Sequence, residues 1–121
     1  MNKRKNITTG APWEDIVGYS RAIKVGNLIE ISGTTAPGDD EYGQTMAIIE
    51  SIKKVLKKFD SDLEDVIRTR IYCTDISNWE KIGKAHAHFF KEIKPVTSMV
   101  EVSKLITPEI LVEIEFSAMI S

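Results

Sequence analysis

Residues 19–33 read Tyr19-Ser20-Arg21-Ala22-Ile23-Lys24-Val25-Gly26-Asn27-Leu28-Ile29-Glu30-Ile31-Ser32-Gly33. Two short segments rich in Ile and Val flank Gly26-Asn27, a pair that accepts the positive backbone angles of a two-residue turn. The stretch therefore predicts a β-hairpin with strands over 19–25 and 28–33. Upstream, residues 1–12 are polar and end in Gly10-Ala11-Pro12, which predicts a flexible arm, with one ordered domain over 13–121.

Downstream, Thr34 to Asp40 is a turn-forming, acidic connection. Met46, Ile49, Ile52, Leu56 and Phe59 then recur at helical spacing, while Glu50, Lys53, Lys54, Lys57 and Lys58 take the wet side, so 42–59 reads as an amphipathic helix. In 66–74 the set Ile67, Thr69, Ile71 and Cys73 alternates with Arg68, Arg70 and Tyr72, the period of a strand with two different faces. Asp75 to Asn78 offers helix caps, and Trp79, Ile82, His86, Phe89, Phe90 and Ile93 trace one face of a second helix ending before Pro95. Strands over 96–103 and 110–120 complete a ββαβαββ order.

In the last segment Ile110, Val112, Ile114, Phe116, Ala118 and Ile120 form an apolar face that should meet both helices, giving an α+β fold with two helices on one side of the sheet. The opposite face is mixed. Leu111, Met99, Met119 and Tyr72 would put large apolar groups there among Arg68, Arg70, Glu113 and Glu115. Such a face is either solvated, with ion pairs worth about 0–1 kcal/mol each, or covered by another copy of the chain.

The 121 residues include 16 basic and 18 acidic side chains, a net charge of -2. That balance argues against a protein that binds by neutralising phosphates or anionic lipids. Cys73 is the single cysteine, so neither a disulfide nor a thiolate metal site holds the fold. No apolar run approaches a membrane span, and the start MNKRKNITTG lacks an apolar signal region, so a cytoplasmic protein is expected. His86 and His88, two apart on a helix, point about 200° from each other and cannot grip one metal. His86 reads as a packed, hydrogen-bonded residue, and Cys73 as a small core hydrophobe. No nucleophile elbow, phosphate loop or dinucleotide fingerprint occurs.

Gly18-Tyr19-Ser20-Arg21-Ala22, the hairpin with Ile31-Ser32-Gly33, Val100-Glu101-Val102 and Val112-Glu113-Ile114-Glu115 together resemble the Rid, or YjgF-like, family over about residues 13–120. The resemblance implies a chorismate-mutase-like fold and a homotrimer whose sheets form a central barrel, with a small-molecule cleft between subunits. It also implies hydrolysis of reactive enamines and imines to a 2-oxo acid and ammonia, without metal or cofactor.

The family's P-x-R-S-x-V-E-V motif carries an Arg that clamps the substrate carboxylate. Here the matching run is Pro95-Val96-Thr97-Ser98-Met99-Val100-Glu101-Val102, with Thr97 in place of that Arg and Met99 in place of the usual Cys. A neutral hydroxyl does not replace a charge-assisted, bidentate pair, a loss of about 2 kcal/mol or more in binding. The resemblance further implies Glu113 as the carboxylate that positions water, Tyr19 as a cleft tyrosine, and Ser32 and Gly33 as pocket-lining residues. Gly83 stands where an Asn often lies.

The expected site is thus Glu113 and Tyr19 for catalysis, with Ser32, Gly33, Thr97, Ser98 and Met99 binding substrate and Arg70 a candidate replacement for the missing cation. Glu113 is equally readable as the ion-pair partner of Arg68 or Arg70. The expected function is a deaminase-like hydrolase acting on a C–N substrate other than 2-iminobutanoate or 2-iminopropanoate. The alternative is a non-catalytic trimeric ligand-binding or interaction module, and RNA cleavage, reported for some relatives, ranks last on the acidic balance.

Overall fold

The computed structural model describes residues 3–121. Among them the elements run β1 (Arg4–Ile7), α1 (Pro12–Val17), β2 (Ala22–Val25), β3 (Leu28–Thr34), α2 (Glu41–Lys57), β4 (Val66–Cys73), α3 (Trp79–Phe90), β5 (Val96–Glu101) and β6 (Val112–Met119). The architecture is mixed α+β, with one six-stranded sheet in the order β1-β2-β3-β6-β4-β5. Neighbours pair antiparallel except β4 and β5, which run parallel because α3 carries the chain back between them. Among the described residues no helix is long and apolar enough to cross a membrane.

The hairpin forms as its residues require: Val25 pairs with Leu28, and Gly26 takes a φ of 60° in the turn. β6 lies centrally between β3 and β4. Its Val112, Ile114, Phe116 and Ala118 are fully buried, together with Ile48, Ile49, Ile52 and Leu56 of α2 and Ile82 and Phe90 of α3. Each such large side chain contributes about 1.5–3 kcal/mol through removal from water. The buried Gln44 ties α2 to the entry of β6: its amide donates to the carbonyls of Gly38 (3.2 Å) and Glu109 (2.8 Å), and its oxygen accepts from the Leu111 N–H (2.9 Å).

Three expectations need correction. The polar start is not a loose arm throughout: Arg4–Ile7 pairs with β2, and Pro12–Val17 is a helix, so the order is βαββαβαββ; residues 1 and 2 of that arm lie outside the described residues. An edge strand is held by backbone hydrogen bonds and needs only one buried side chain, here Ile7, which leaves a polar sequence. α1 is marked by Pro12 at its first position, Glu14 and Asp15 in its first turn and Gly18 after its last.

Second, Ile67 does not share the buried face of Thr69, Ile71 and Cys73. The β4–β6 register shifts between Val66 and Arg68, and this bulge leaves Ile67 47% exposed while Val66 is buried. Third, Met99 lies on the core side. β5 pairs Met99 with Ile71, so Val96, Ser98 and Val100 share the outer face with Arg68, Arg70 and Tyr72.

Candidate functional site

Glu14 of α1 is buried, and both of its carboxylate oxygens are held by Thr9, through the N–H (3.0 Å) and the hydroxyl (2.6 Å). Those bonds hold its carboxyl below the usual carboxylate range. Gly18, at φ 89°, turns the chain out of the helix, and the N–H groups of Gly18 and Tyr19 both bond to the Glu14 carbonyl at 2.9 Å. Tyr19 is therefore placed by the end of α1.

Two residues on, Arg21 is locked between strands. Its N–H donates to the Ile7 carbonyl (2.9 Å), and its carbonyl accepts from the Ser32 N–H (3.0 Å). Its Nη1 donates to the Gly33 carbonyl (3.1 Å) and to Thr34 Oγ1 (2.9 Å), and the guanidinium lies 5.9 Å from the centre of the Tyr19 ring.

Opposite Arg21, the β3–β6 register steps from Ile31–Phe116 to Thr34–Ile114, so β3 carries one extra residue. This bulge at Ser32-Gly33 frees backbone from regular pairing. The Glu113 side chain occupies the space over Gly33, where any Cβ would overlap its Oε2. Glycine is needed there for close approach.

Glu113, Gly33, Ser32, Arg21 and Tyr19 line one cavity of about 780 Å³. Its remaining wall is largely apolar, from Trp13 and Val17 of α1, Val55 of α2, and Ile106 and Ile110 ahead of β6. Glu113 is half-buried, and burial pushes its carboxyl above the usual range; Glu115 pushes the same way and Arg21 opposes. The one ion pair found among the described residues joins Lys57 and Asp62 at 3.3 Å, so Glu113 is paired with neither Arg68 nor Arg70. A carboxyl of raised pKa holds a proton more firmly than an ordinary carboxylate, which suits a group that takes up a proton and later returns it.

The other expected residues lie elsewhere. β5 is separated from β3 by β6 and β4, and Thr97, Ser98 and Met99 do not line the cavity. The Thr97 hydroxyl accepts from Thr69 Oγ1 (2.6 Å), and Thr69 Oγ1 in turn lies 3.0 Å from His86 Nε2. His86 packs on Phe90 with ring centres 4.7 Å apart, and burial lowers its pKa. Cys73 is fully buried, and burial raises its thiol pKa.

Arg70 is exposed on the outer face opposite Glu115, which accepts a hydrogen bond from the Tyr72 hydroxyl at 3.2 Å. The guanidinium inside the cavity is that of Arg21, which sequence reasoning used only as part of the family signature. The available signal was its position two residues after Tyr19, on the same side of an extended segment. Among the described residues no three His, Cys, Asp or Glu side chains converge as a metal site would require.

Comparison with known proteins agrees over nearly the whole chain. The profile of the family described as "Endoribonuclease L-PSP" matches residues 9–120. The crystal structure of Rv2704 from Mycobacterium tuberculosis, a member of the YjgF/YER057c/UK114 family, superposes with a TM-score of 0.95 at 47% identity, covering 98% of this chain and 100% of that one. A RutC family protein of Pyrococcus abyssi is 36% identical over 124 residues, 95% of each chain. The 3-aminoacrylate deaminase RutC of Acinetobacter baylyi is 28% identical over 122 residues, 94% of this chain and 95% of its own. With bulge, hairpin and helices in place and a profile match of this extent, the chain belongs to the endoribonuclease L-PSP family, the same YjgF-like, or Rid, family its sequence resembles.

Proposed function

We propose that this chain is a cytoplasmic, cofactor-independent hydrolase that acts on imines or enamines in the Glu113 cavity, outside the small 2-imino acids. The observation that carries the reading is Glu113 itself: half-buried, raised in pKa, unpaired among the described residues and seated over the bulge at Gly33. The Acinetobacter relative, a 3-aminoacrylate deaminase, supports the same class of C–N chemistry.

In this reading Glu113 takes a proton from water as the water oxygen bonds to the C=N carbon, and the nitrogen gains a proton from solvent as the double bond opens and its π electrons pass to nitrogen. The carbinolamine then collapses: its C–N bond breaks with the electron pair on nitrogen, Glu113 returns its proton to that departing nitrogen, and the hydroxyl loses its proton to solvent to leave a carbonyl. The sum is imine plus water giving carbonyl compound plus ammonia. An enamine first takes a proton on carbon to become the imine. Tyr19 and the amides of the bulge would hold the developing amine.

The working unit in this proposal is a homotrimer. β5 is an edge strand with Val96 (56%) and Val100 (47%) exposed on its outer face, beside Ile67. Packing against a neighbouring copy would cover them and bring β5, with Ser98 on the same outer face, toward that copy's cavity. RNA cleavage has less support, since the chain carries net charge -2 and Arg21 shares its cavity with Glu14 and Glu113.

The test is turnover of a panel of imines, enamines and small amides by wild type and Glu113→Gln, with sedimentation of the wild type. Turnover that falls about 100-fold or more on substitution, in a particle three times the 13.6 kDa chain mass, is the expected result. No turnover of any substrate points instead to a ligand-binding module, and a monomer removes the shared cleft.

A further inference from the structure

We propose that Arg21 is the anion anchor of the Glu113 cavity, and that the ligand couples a carboxylate held on Arg21 to a bulky apolar group lying against Trp13, Val17 and Ile106. The inference deepens the hydrolase reading and rests on it for the identity of the site.

A guanidinium has five N–H donors. Nη1 of Arg21 spends its donors on the Gly33 carbonyl and Thr34 Oγ1. Among the described residues no acceptor takes Nε or Nη2, and those two atoms form the side-on edge that matches the two oxygens of a carboxylate. The two bonds to β3, together with the Tyr19 ring alongside, hold the group in place before a ligand arrives, so little side-chain freedom is lost on binding.

The acidic neighbours do not cancel this charge in the usual way. Both oxygens of Glu14 are turned to Thr9. Glu113 forms no ion pair with the guanidinium, so no carboxylate of the chain itself occupies the Nε–Nη2 edge among the described residues.

The apolar wall indicates the rest of the ligand. Trp13, Val17 and Ile106 are 55%, 70% and 71% exposed, yet all three line this cavity, from α1 and from the segment before β6. Large apolar groups left in water around a polar floor fit a ligand with a polar head and an apolar body. The cleft, about 780 Å³ and open to solvent, has room for such a body beside the polar head. The acid class selected is therefore one with an aromatic or branched side group.

Calorimetric titration with three probes tests this: 3-phenyl-2-oxopropanoate, its N-methyl amide and 2-oxopropanoate. Wild type should bind the phenyl acid about tenfold or more tighter than either of the others. Arg21→Gln should erase the preference for acid over amide, and Trp13→Ala should weaken the phenyl acid while leaving that preference intact. Should Arg21→Gln fail to fold, Arg21→Lys decides, because an ammonium lacks the side-on edge and should lower the acid preference several-fold.

Equal binding of acid and amide by wild type, binding of neither, or an undiminished preference in a folded Arg21 variant would overturn the assignment. Failure of the hydrolase reading shows separately. Arg21-dependent binding of the phenyl acid without turnover of the matching imine removes hydrolysis and keeps the anchor. Turnover of that imine with no acid preference does the reverse.

Discussion

The carboxylate of Glu113 on β6 lies against the bare Cα of Gly33 on β3, inside the volume a side chain at position 33 would occupy. The extra residue in β3 makes this contact possible, because it takes the Ser32-Gly33 backbone out of regular register with β6.

Gly33→Ala should therefore act on the site more than on the fold. Gly33 does not have a positive φ, so alanine fits the backbone, and the atom it meets is the free end of a flexible side chain. We expect a stability change within about 1.5 kcal/mol by urea denaturation, and a fall in kcat of about 10–100-fold as Glu113 is pushed from its position. A fully active Gly33→Ala enzyme would contradict the placement of the base.

Glu113 also sets the expected pH dependence. Burial raises its pKa above the ordinary glutamate value of 4.5, and a general base must be ionised, so kcat/KM should climb with pH along an acid limb lying above the usual carboxylate range. The stability effect has a definite sign. The folded state binds this proton more tightly than the unfolded chain, so stability falls as pH rises from 4.5 through the raised folded value and is level above it. Glu113→Gln should remove both effects, raising Tm at pH 7–8 while abolishing the acid limb. Parallel melting and rate profiles from pH 4 to 8 check this.

The chain Thr97–Thr69–His86 gives a third prediction. Thr69 is fully buried, and its hydroxyl serves both neighbours. Thr69→Val keeps the shape but strands the partly buried His86 nitrogen, at a cost of about 1–3 kcal/mol. Because burial lowers the His86 pKa, protonation opposes folding, so wild-type stability should decline as pH falls below the ordinary histidine value of 6.5. Urea midpoints at pH 7.5 and 5.5 for both proteins check the hydrogen bond and the sign together. Equal midpoints for wild type and variant would show that the chain contributes nothing.

Some of the molecule could be read from residue order alone. The hairpin follows from Gly26-Asn27 between β-branched segments, α2 from a 3.6-residue apolar period, and the core face of β6 from strict alternation, because each is set within a few residues of chain. β1 and α1 escaped that reading. The first is held by backbone pairing to a strand 18 or so residues away rather than by its own side chains, and the second is a single short helix with little apolar periodicity.

The site divides along the same line. Glu113, Tyr19, Ser32 and Gly33 were named from their place in a family pattern, and the fold brings those four together. The presence of Arg21 in that cavity, the position of Met99 on the core side and the distance of Thr97 from Glu113 were decided by register: two bulges and a parallel strand pair. A one-residue slip in a strand reverses every side chain, and local sequence does not say where pairing slips. The residue order of this protein determined which elements form and which faces are apolar. Which charges meet was left to the long-range pairing of strands distant along the chain, where hydrogen-bond register outweighs local preference.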